Sequence, residues 1–131
     1  MAGRLAGAAA AGSGAAAATI DRARVESTSA ADTVDLGARL GSVARAGDLV
    51  CLWGELGAGK TQLAKGIARG LGVVDDRQED GLTVVEWPDR LGSVLPAARL
   101  DVEIDGTGDE PRAIDVVARD PRYRRYVEAA R

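Results

Sequence analysis

Leu49-Val50-Cys51-Leu52-Trp53-Gly54-Glu55-Leu56-Gly57-Ala58-Gly59-Lys60-Thr61 is the stretch whose reading decides the fold of this chain. Its first five residues form an apolar run of strand length. Its last eight fit the spacing G-x-x-x-x-G-K-[ST]. The residues that follow, Gln62 to Leu71, recur at helical spacing. Strand, glycine-rich loop and helix in that order separate a phosphate-binding loop from a chance match. The alternative, a glycine-rich turn that merely joins a strand to a helix, has to ignore both flanks.

The residue types follow from the chemistry of an anion site. Gly54, Gly57 and Gly59 permit a tight turn in which several backbone N–H groups converge on phosphate oxygens. A helix starting near Lys60 points the positive end of its dipole at the same anion. Lys60 adds a mobile cation, and the Thr61 hydroxyl is a Mg²⁺ ligand of the kind such loops use.

Outward from the loop, 131 residues fit one domain. The hydrophobic fraction of 46% is ample for a core, but with two Trp, two Tyr and no Phe that core must be built from Leu, Val, Ile and Ala. A net charge of −3 gives no global basic field to draw nucleic acid. The absence of His removes imidazole acid–base chemistry and His-based metal sites. Cys51, the lone cysteine, reads as a small buried hydrophobe. No apolar stretch is long enough to cross a membrane as a helix. A reducing, cytoplasmic setting is expected.

Residues 1–18 are nearly all Ala and Gly and are expected to be disordered; residues 19–131 form the domain. One Arg in that stretch is thin support for a transit peptide. Thr19 to Ser27 alternates weakly and predicts an edge strand. Ser27-Thr28-Ser29 supplies N-cap chemistry for a helix with Thr33, Leu36, Leu40 and Val43 on one face, stopped at Gly47. In the helix after the loop, Leu63, Ile67 and Leu71 are expected to be buried, with Ala64 and Ala68 allowing close approach to a sheet. A polar connection, Val73 to Gly81, leads to Leu82-Thr83-Val84-Val85-Glu86, read as a buried strand ending in a carboxylate and stopped by Pro88. Leu100 to Ile104 and Ala113 to Val117 read as a hairpin around Asp105-Gly106-Thr107-Gly108. Pro121 opens a last helix toward Ala130.

Two further groups carry chemistry. Glu86, at the end of an apolar strand downstream of the loop, sits where such proteins place the carboxylate that holds Mg²⁺ or orients water. Its alternative is an ordinary solvent-facing Glu. The run Arg119, Arg122, Tyr123, Arg124, Arg125, Tyr126 and Arg131 mixes guanidinium and aromatic groups as an RNA-contacting patch does. In an acidic chain, a solvated helix face is the preferred reading of that run.

With Gly54–Thr61 and Glu86-Trp87-Pro88 both present, the chain resembles the TsaE (YjeE) family, small bacterial ATPases of tRNA threonylcarbamoyladenosine biosynthesis. The resemblance rests on GDLVCLWGELGAGKTQLAKGIARGLGV, LTVVEWPDRLGSVLP, the LDVEI strand and the upstream STSAADTVDLGARLG, which together cover most of residues 27–104. It implies an α/β fold, a P-loop NTPase-like three-layer arrangement around a mixed sheet. It implies that Gly57, Ala58, Gly59, Lys60, Thr61 and Gln62 hold the phosphates of ATP. Thr61 and Glu86 would bind Mg²⁺, Lys60 and Glu86 would serve catalysis, Trp87 would pack near the nucleotide, and Thr28 would lie close to the base. The implied partner is the TsaB–TsaD pair, with tRNA met only indirectly and no membrane involved.

The chain departs from the family between the GLGV and VEWP segments, where members carry several dozen residues, including a switch-like S-P-T-F stretch and a strand reading roughly H-x-D-L-Y-R. Here only Val73 to Leu82 intervene. The fold is therefore expected to be truncated, with a gap or an exposed edge in the sheet, and coupled ATP hydrolysis is expected to be poor. A nucleotide-binding interaction module without hydrolysis is the second reading. A small-molecule kinase ranks last, because the segment between Leu71 and Leu82 is too short for a lid.

Overall fold

The structure is a computed structural model. It describes residues 18–55, 57–72, 82–88, 91 and 94–131. The expected disorder of the N-terminal stretch and the connection Val73–Gly81 lie outside those residues, apart from Ala18, which is exposed.

Elements alternate along the chain as β1 (Asp21–Ser27), α1 (Ala30–Gly41), β2 (Leu49–Trp53), α2 (Lys60–Leu71), β3 (Thr83–Val85), β4 (Leu100–Asp105), β5 (Arg112–Ala118), a 3₁₀ turn (Pro121–Tyr123) and α3 (Arg124–Ala130). One five-stranded sheet runs in the order β1-β5-β4-β2-β3. β2 pairs in parallel with β3 and with β4, whereas β4–β5 and β1–β5 are antiparallel. The mixed α/β sheet expected from the sequence is therefore present, with β4 and β5 as its hairpin and β1 at one edge.

Period-two alternation assigns the two faces. Val50, Leu52, Leu100, Val102, Ile114 and Val116 point to the face covered by all three described helices and form one core with Leu36, Leu40, Leu63, Ile67, Tyr126 and Val127. Each fully buried side chain of this size contributes about 1.5–3 kcal/mol. The opposite face carries, among the described residues, a set of side-chain ion pairs. There the buried Asp101 accepts from Trp53 Nε1, Arg99 Nε and Arg119 Nε, each at 2.8 Å. Asp115 beside it accepts from Arg24 and Arg22 at 2.7–3.1 Å.

Several expectations are corrected. α1 ends at Gly41 with Ser42 as its C-cap, and Gly47, at φ +86°, belongs to the turn before β2 rather than stopping the helix. The cause is local: the Ser42 N–H already closes on the carbonyls of Ala38 and Leu40, and its hydroxyl on Arg39. β3 is three residues long and only half-buried, because it lies at the sheet edge rather than inside it. Among the described residues β3 pairs with β2 alone and ends the strand order.

Ala68 is exposed and does not mediate close packing on the sheet. The close approach is instead between helices. α1 carries Gly37-x-x-x-Gly41 and α2 carries Gly66-x-x-x-Gly70. A Cβ on Gly66 would lie 2.1 Å from the Val34 carbonyl oxygen, and one on Gly41 2.1 Å from that of Ile67. The two backbones touch, which only paired glycines permit.

In the C-terminal basic run Arg122, Arg124 and Arg131 are exposed, as a solvated helix face requires, but the two tyrosines are not on that face. Tyr123 and Tyr126 are buried and stacked, with ring centroids 5.9 Å apart. Arg122 and Arg125 pair with Asp48, Arg119 with Asp101, and Arg131 with Asp21. Arg119 and Arg125, the least exposed of these, are held by carboxylates that the sequence spacing does not reveal.

Candidate functional site

The loop leaves the carboxyl end of β2 and enters α2 through Gly59, the N-cap, at φ +114°. Gly54 opens it at φ +156°, where a Cβ would lie 2.9 Å from the Ile104 carbonyl oxygen. A side chain at that position would push the loop off β4. The Ala58 N–H donates to the Glu55 carbonyl at 3.0 Å and closes the turn.

Lys60 is 6% exposed. Its ammonium donates to the Gly54 carbonyl and lies 3.7 Å from the centroid of the Trp87 ring. The ammonium therefore lies in direct cation–π contact with the ring face. Thr61 is exposed and Gln62 half-exposed at the first turn of α2.

A cavity of about 590 Å³ lies over the loop. Gly57, Ala58, Gly59, Lys60, Thr61 and Gln62 line it, as do Thr28 from the lead-in to α1 and Glu86 and Trp87 from the end of β3. Thr28, Gly57 to Gln62, Glu86 and Trp87, which the resemblance assigned to the site, all line this one cavity, whereas Gly54 and the C-terminal arginines do not. Thr28 is held there by donating its N–H and its hydroxyl to Asp32 Oδ2, at 3.0 and 2.8 Å. Those bonds, the backbone one first, hold the Asp32 carboxyl below its usual range. Ser29 caps α1 by accepting from the Asp32 N–H. The buried Ser27 hydroxyl meets that of Thr33 at 2.6 Å in the same wall.

Residues that the motif does not announce complete the rim. Gly108, Asp109 and Glu110 of the β4–β5 turn and Arg112 at the start of β5 also line the cavity. A turn following a strand that runs parallel to the loop-bearing strand must come up beside the loop. The sequence signal was the hairpin, but its pairing with β2 was needed to place it.

Among the described residues no group of three or more His, Cys, Asp or Glu is arranged to hold a metal ion. Thr61 and Glu86 offer one hydroxyl and one carboxylate on the same cavity. That donor set suits Mg²⁺, which keeps several waters and takes its remaining oxygens from a phosphate ligand. Cys51 is buried and free, and burial pushes its thiol up to about 12, so it takes no part as a nucleophile.

Comparison with known proteins gives the same region an ancestry. The sequence model of the threonylcarbamoyl adenosine biosynthesis protein TsaE matches residues 27–79. A protein of Bacillus subtilis described as tRNA threonylcarbamoyladenosine biosynthesis protein TsaE is 30% identical over 124 aligned positions, taking in 65% of this chain and 78% of that one. The chain belongs to the TsaE family. TsaE proteins of Streptomyces coelicolor (40% identical over 83 residues, 63% of this chain) and Mycobacterium leprae (67% over 70 residues, 47% of this chain) are also similar. The chain spans about half the length of these two TsaE relatives, 56% and 40%. The crystal structure of Bacillus subtilis YdiB superposes with a TM-score of 0.75 at 25% identity, over 84% of this chain and 94% of that one. The TsaE match covers the first helix, the loop and α2, and the structural match extends the likeness to most of the sheet. In the Bacillus subtilis TsaE alignment, 65% of this chain supplies fewer residues than the 124 aligned positions, so part of the relative stands opposite gaps in this chain.

Proposed function

We propose that this TsaE-family chain binds ATP with Mg²⁺ in the cavity over Gly54–Thr61. We propose further that it serves tRNA N6-threonylcarbamoyladenosine modification in the cytoplasm as an accessory to a TsaB–TsaD pair, meeting tRNA only through that pair. The observation that carries the nucleotide reading is the convergence of Thr28, Gly57–Gln62, Glu86 and Trp87 on one cavity of about 590 Å³. A triphosphate would lie along the loop N–H groups and the start of α2, with Lys60 on its terminal phosphates and Thr61 and Glu86 on the Mg²⁺ side. When bound, Mg²⁺ would neutralise phosphate charge. The chain itself supplies binding and orientation, with Thr28 at the base end. The relatives in Streptomyces coelicolor and Bacillus subtilis are named as proteins of tRNA threonylcarbamoyladenosine biosynthesis, which supports the pathway reading. Among the described residues no helix is long and apolar enough to cross a membrane.

Hydrolysis is expected to be slow. The gaps opposite the Bacillus subtilis relative support the reading that this chain lacks the segment which, in the family, senses the γ-phosphate. They favour the second reading, a nucleotide-binding module that engages its partner without turnover. Trp87, 39% exposed and in contact with Lys60, provides the assay. ATP should change its emission with saturable binding, and Lys60→Ala should move that change to about 10- to 100-fold higher ATP concentration. A wild-type chain that leaves Trp87 emission and calorimetric heat unchanged on adding ATP and Mg²⁺ would sink the nucleotide reading. ATP turnover equal to that of a relative carrying the longer segment would sink the slow-hydrolysis reading alone.

A further inference from the structure

Arg112 does something in the cavity wall that the loop motif does not encode. Its Nε donates to the Ala58 carbonyl at 2.9 Å, and one terminal nitrogen donates to the carbonyls of Gly57 at 3.3 Å and Gly108 at 3.1 Å. The other terminal nitrogen donates to the Glu110 carbonyl. One planar guanidinium thus bridges two consecutive loop carbonyls and two carbonyls of the β4–β5 turn, a geometry that needs several donors in a fixed fork.

Across a planar trans peptide, the carbonyl and the following N–H point in opposite directions. Holding the Ala58 carbonyl on Arg112 therefore turns the Gly59 N–H away from the guanidinium. Gly59 sits at φ +114°, and a glycine there leaves the Ala58–Gly59 peptide free to rotate. A flipped peptide would present a carbonyl oxygen where an anion needs a donor. Gly57, at φ +87° with nothing within 4 Å of its Cβ direction, offers the loop no packing to resist that rotation.

We propose that Arg112 is the positioning residue of the loop: by fixing the Gly57 and Ala58 carbonyls it keeps the loop N–H groups turned toward a polyphosphate and ties the loop to the β4–β5 turn. The inference rests on the reading of the cavity as a nucleotide site. It concerns the phosphate end alone, since Arg112 contacts Gly57 and Ala58 of the loop.

The test compares wild type, Arg112→Ala, Arg112→Lys and Lys60→Ala, using ADP, AMP and inorganic pyrophosphate as ligands, with thermal melting of each protein. Arg112→Ala should lose about tenfold in affinity for ADP and pyrophosphate, equivalent to ~1.4 kcal/mol, while its AMP affinity stays within about twofold. Arg112→Lys should recover less than half of that loss on the logarithmic scale, because an ammonium lacks the fork. The Gly59 amide resonance should shift on adding pyrophosphate to wild type and respond less in both Arg112 variants. Equal losses for ADP and AMP, full recovery by Lys, or an unchanged Gly59 response would each overturn the proposal. Wild type that binds ADP, set beside an Arg112→Ala protein that binds it equally well, would overturn this inference and leave the nucleotide reading standing. Wild type that binds neither ADP nor pyrophosphate would bring both down.

Discussion

At the amino end of β2, Asp48 is buried and fully engaged. It accepts from the Arg45 N–H at 2.9 Å, the Tyr126 hydroxyl at 2.5 Å, Arg122 at 3.0 Å and Arg125. At the carboxyl end of the same strand, the loop residues Gly57 to Thr61 line a cavity of about 590 Å³. Both ends combine charge, aromatic rings and turns. The first spends its polar groups on its own chain and locks α3 to the sheet. The second keeps an open volume beside a cation, a helix start and a carboxylate. Polar groups that satisfy one another build structure, and polar groups gathered around open space are placed for a ligand.

The comparison breaks if the two ends can be exchanged in their effects. The largest change should come from Asp48→Asn. Breaking a buried ion-pair network by removing one partner costs about 3–5 kcal/mol, and that loss should appear in chemical denaturation with ATP affinity unchanged in the protein that remains folded. Loss of ATP affinity without loss of stability would show that the two ends are coupled.

Lys60→Ala should act the other way. Hydrogen bonds to charged groups contribute about 1.5–3 kcal/mol, so calorimetry should show a loss of about 10- to 100-fold in ATP affinity, with a small change in melting temperature. Gly66→Ala tests the frame that holds both ends. Alanine is favoured over glycine in a helix by about 1 kcal/mol, but its Cβ would meet the Val34 carbonyl oxygen at 2.1 Å, and overpacking of that kind costs about 1–3 kcal/mol. Net destabilisation on melting is expected, and stabilisation would mean that the helices separate easily.

The pH dependence sharpens the contrast further. Burial raises the Asp48 carboxyl, but the Tyr126 hydroxyl, the Arg45 amide and Arg125 outweigh it and leave it below its ordinary value. A depressed folded-state carboxyl contributes stability that is present above the unfolded value of about 3.9 and lost as pH falls through the lower folded one. Melting temperature should therefore drop below about pH 4, and the drop should be shallower in Asp48→Asn. The smallest effect is expected from Arg24→Ala. Arg24 is largely exposed beside Asp115, and pairs of that kind contribute up to about 1 kcal/mol.

The cavity floor was legible because the loop motif is local: eight consecutive residues specify its turns, its cation and its hydroxyl. Glu86 was legible through its position after an apolar strand and Trp87 only through the family resemblance, and both reach the cavity because β3 pairs in parallel with β2. Arg112 was not legible. It lies 54 residues from Ala58 in sequence, and nothing in its neighbourhood announces a carbonyl partner. The Asp48–Arg125 pair was not legible either, since an ion pair between positions 77 residues apart leaves no periodic trace. The paired Gly-x-x-x-Gly segments were visible as text, but only the crossing of α1 on α2 gives them a reason.

By itself the sequence determined the order of strands and helices, the phosphate-type loop and the hairpin, because each depends on contacts within a few residues. Tertiary structure decided which strand lies at an edge, which arginines are consumed internally and which residues share the cavity. Those outcomes depend on strand order and helix crossing, which bring distant positions together where no local pattern records them.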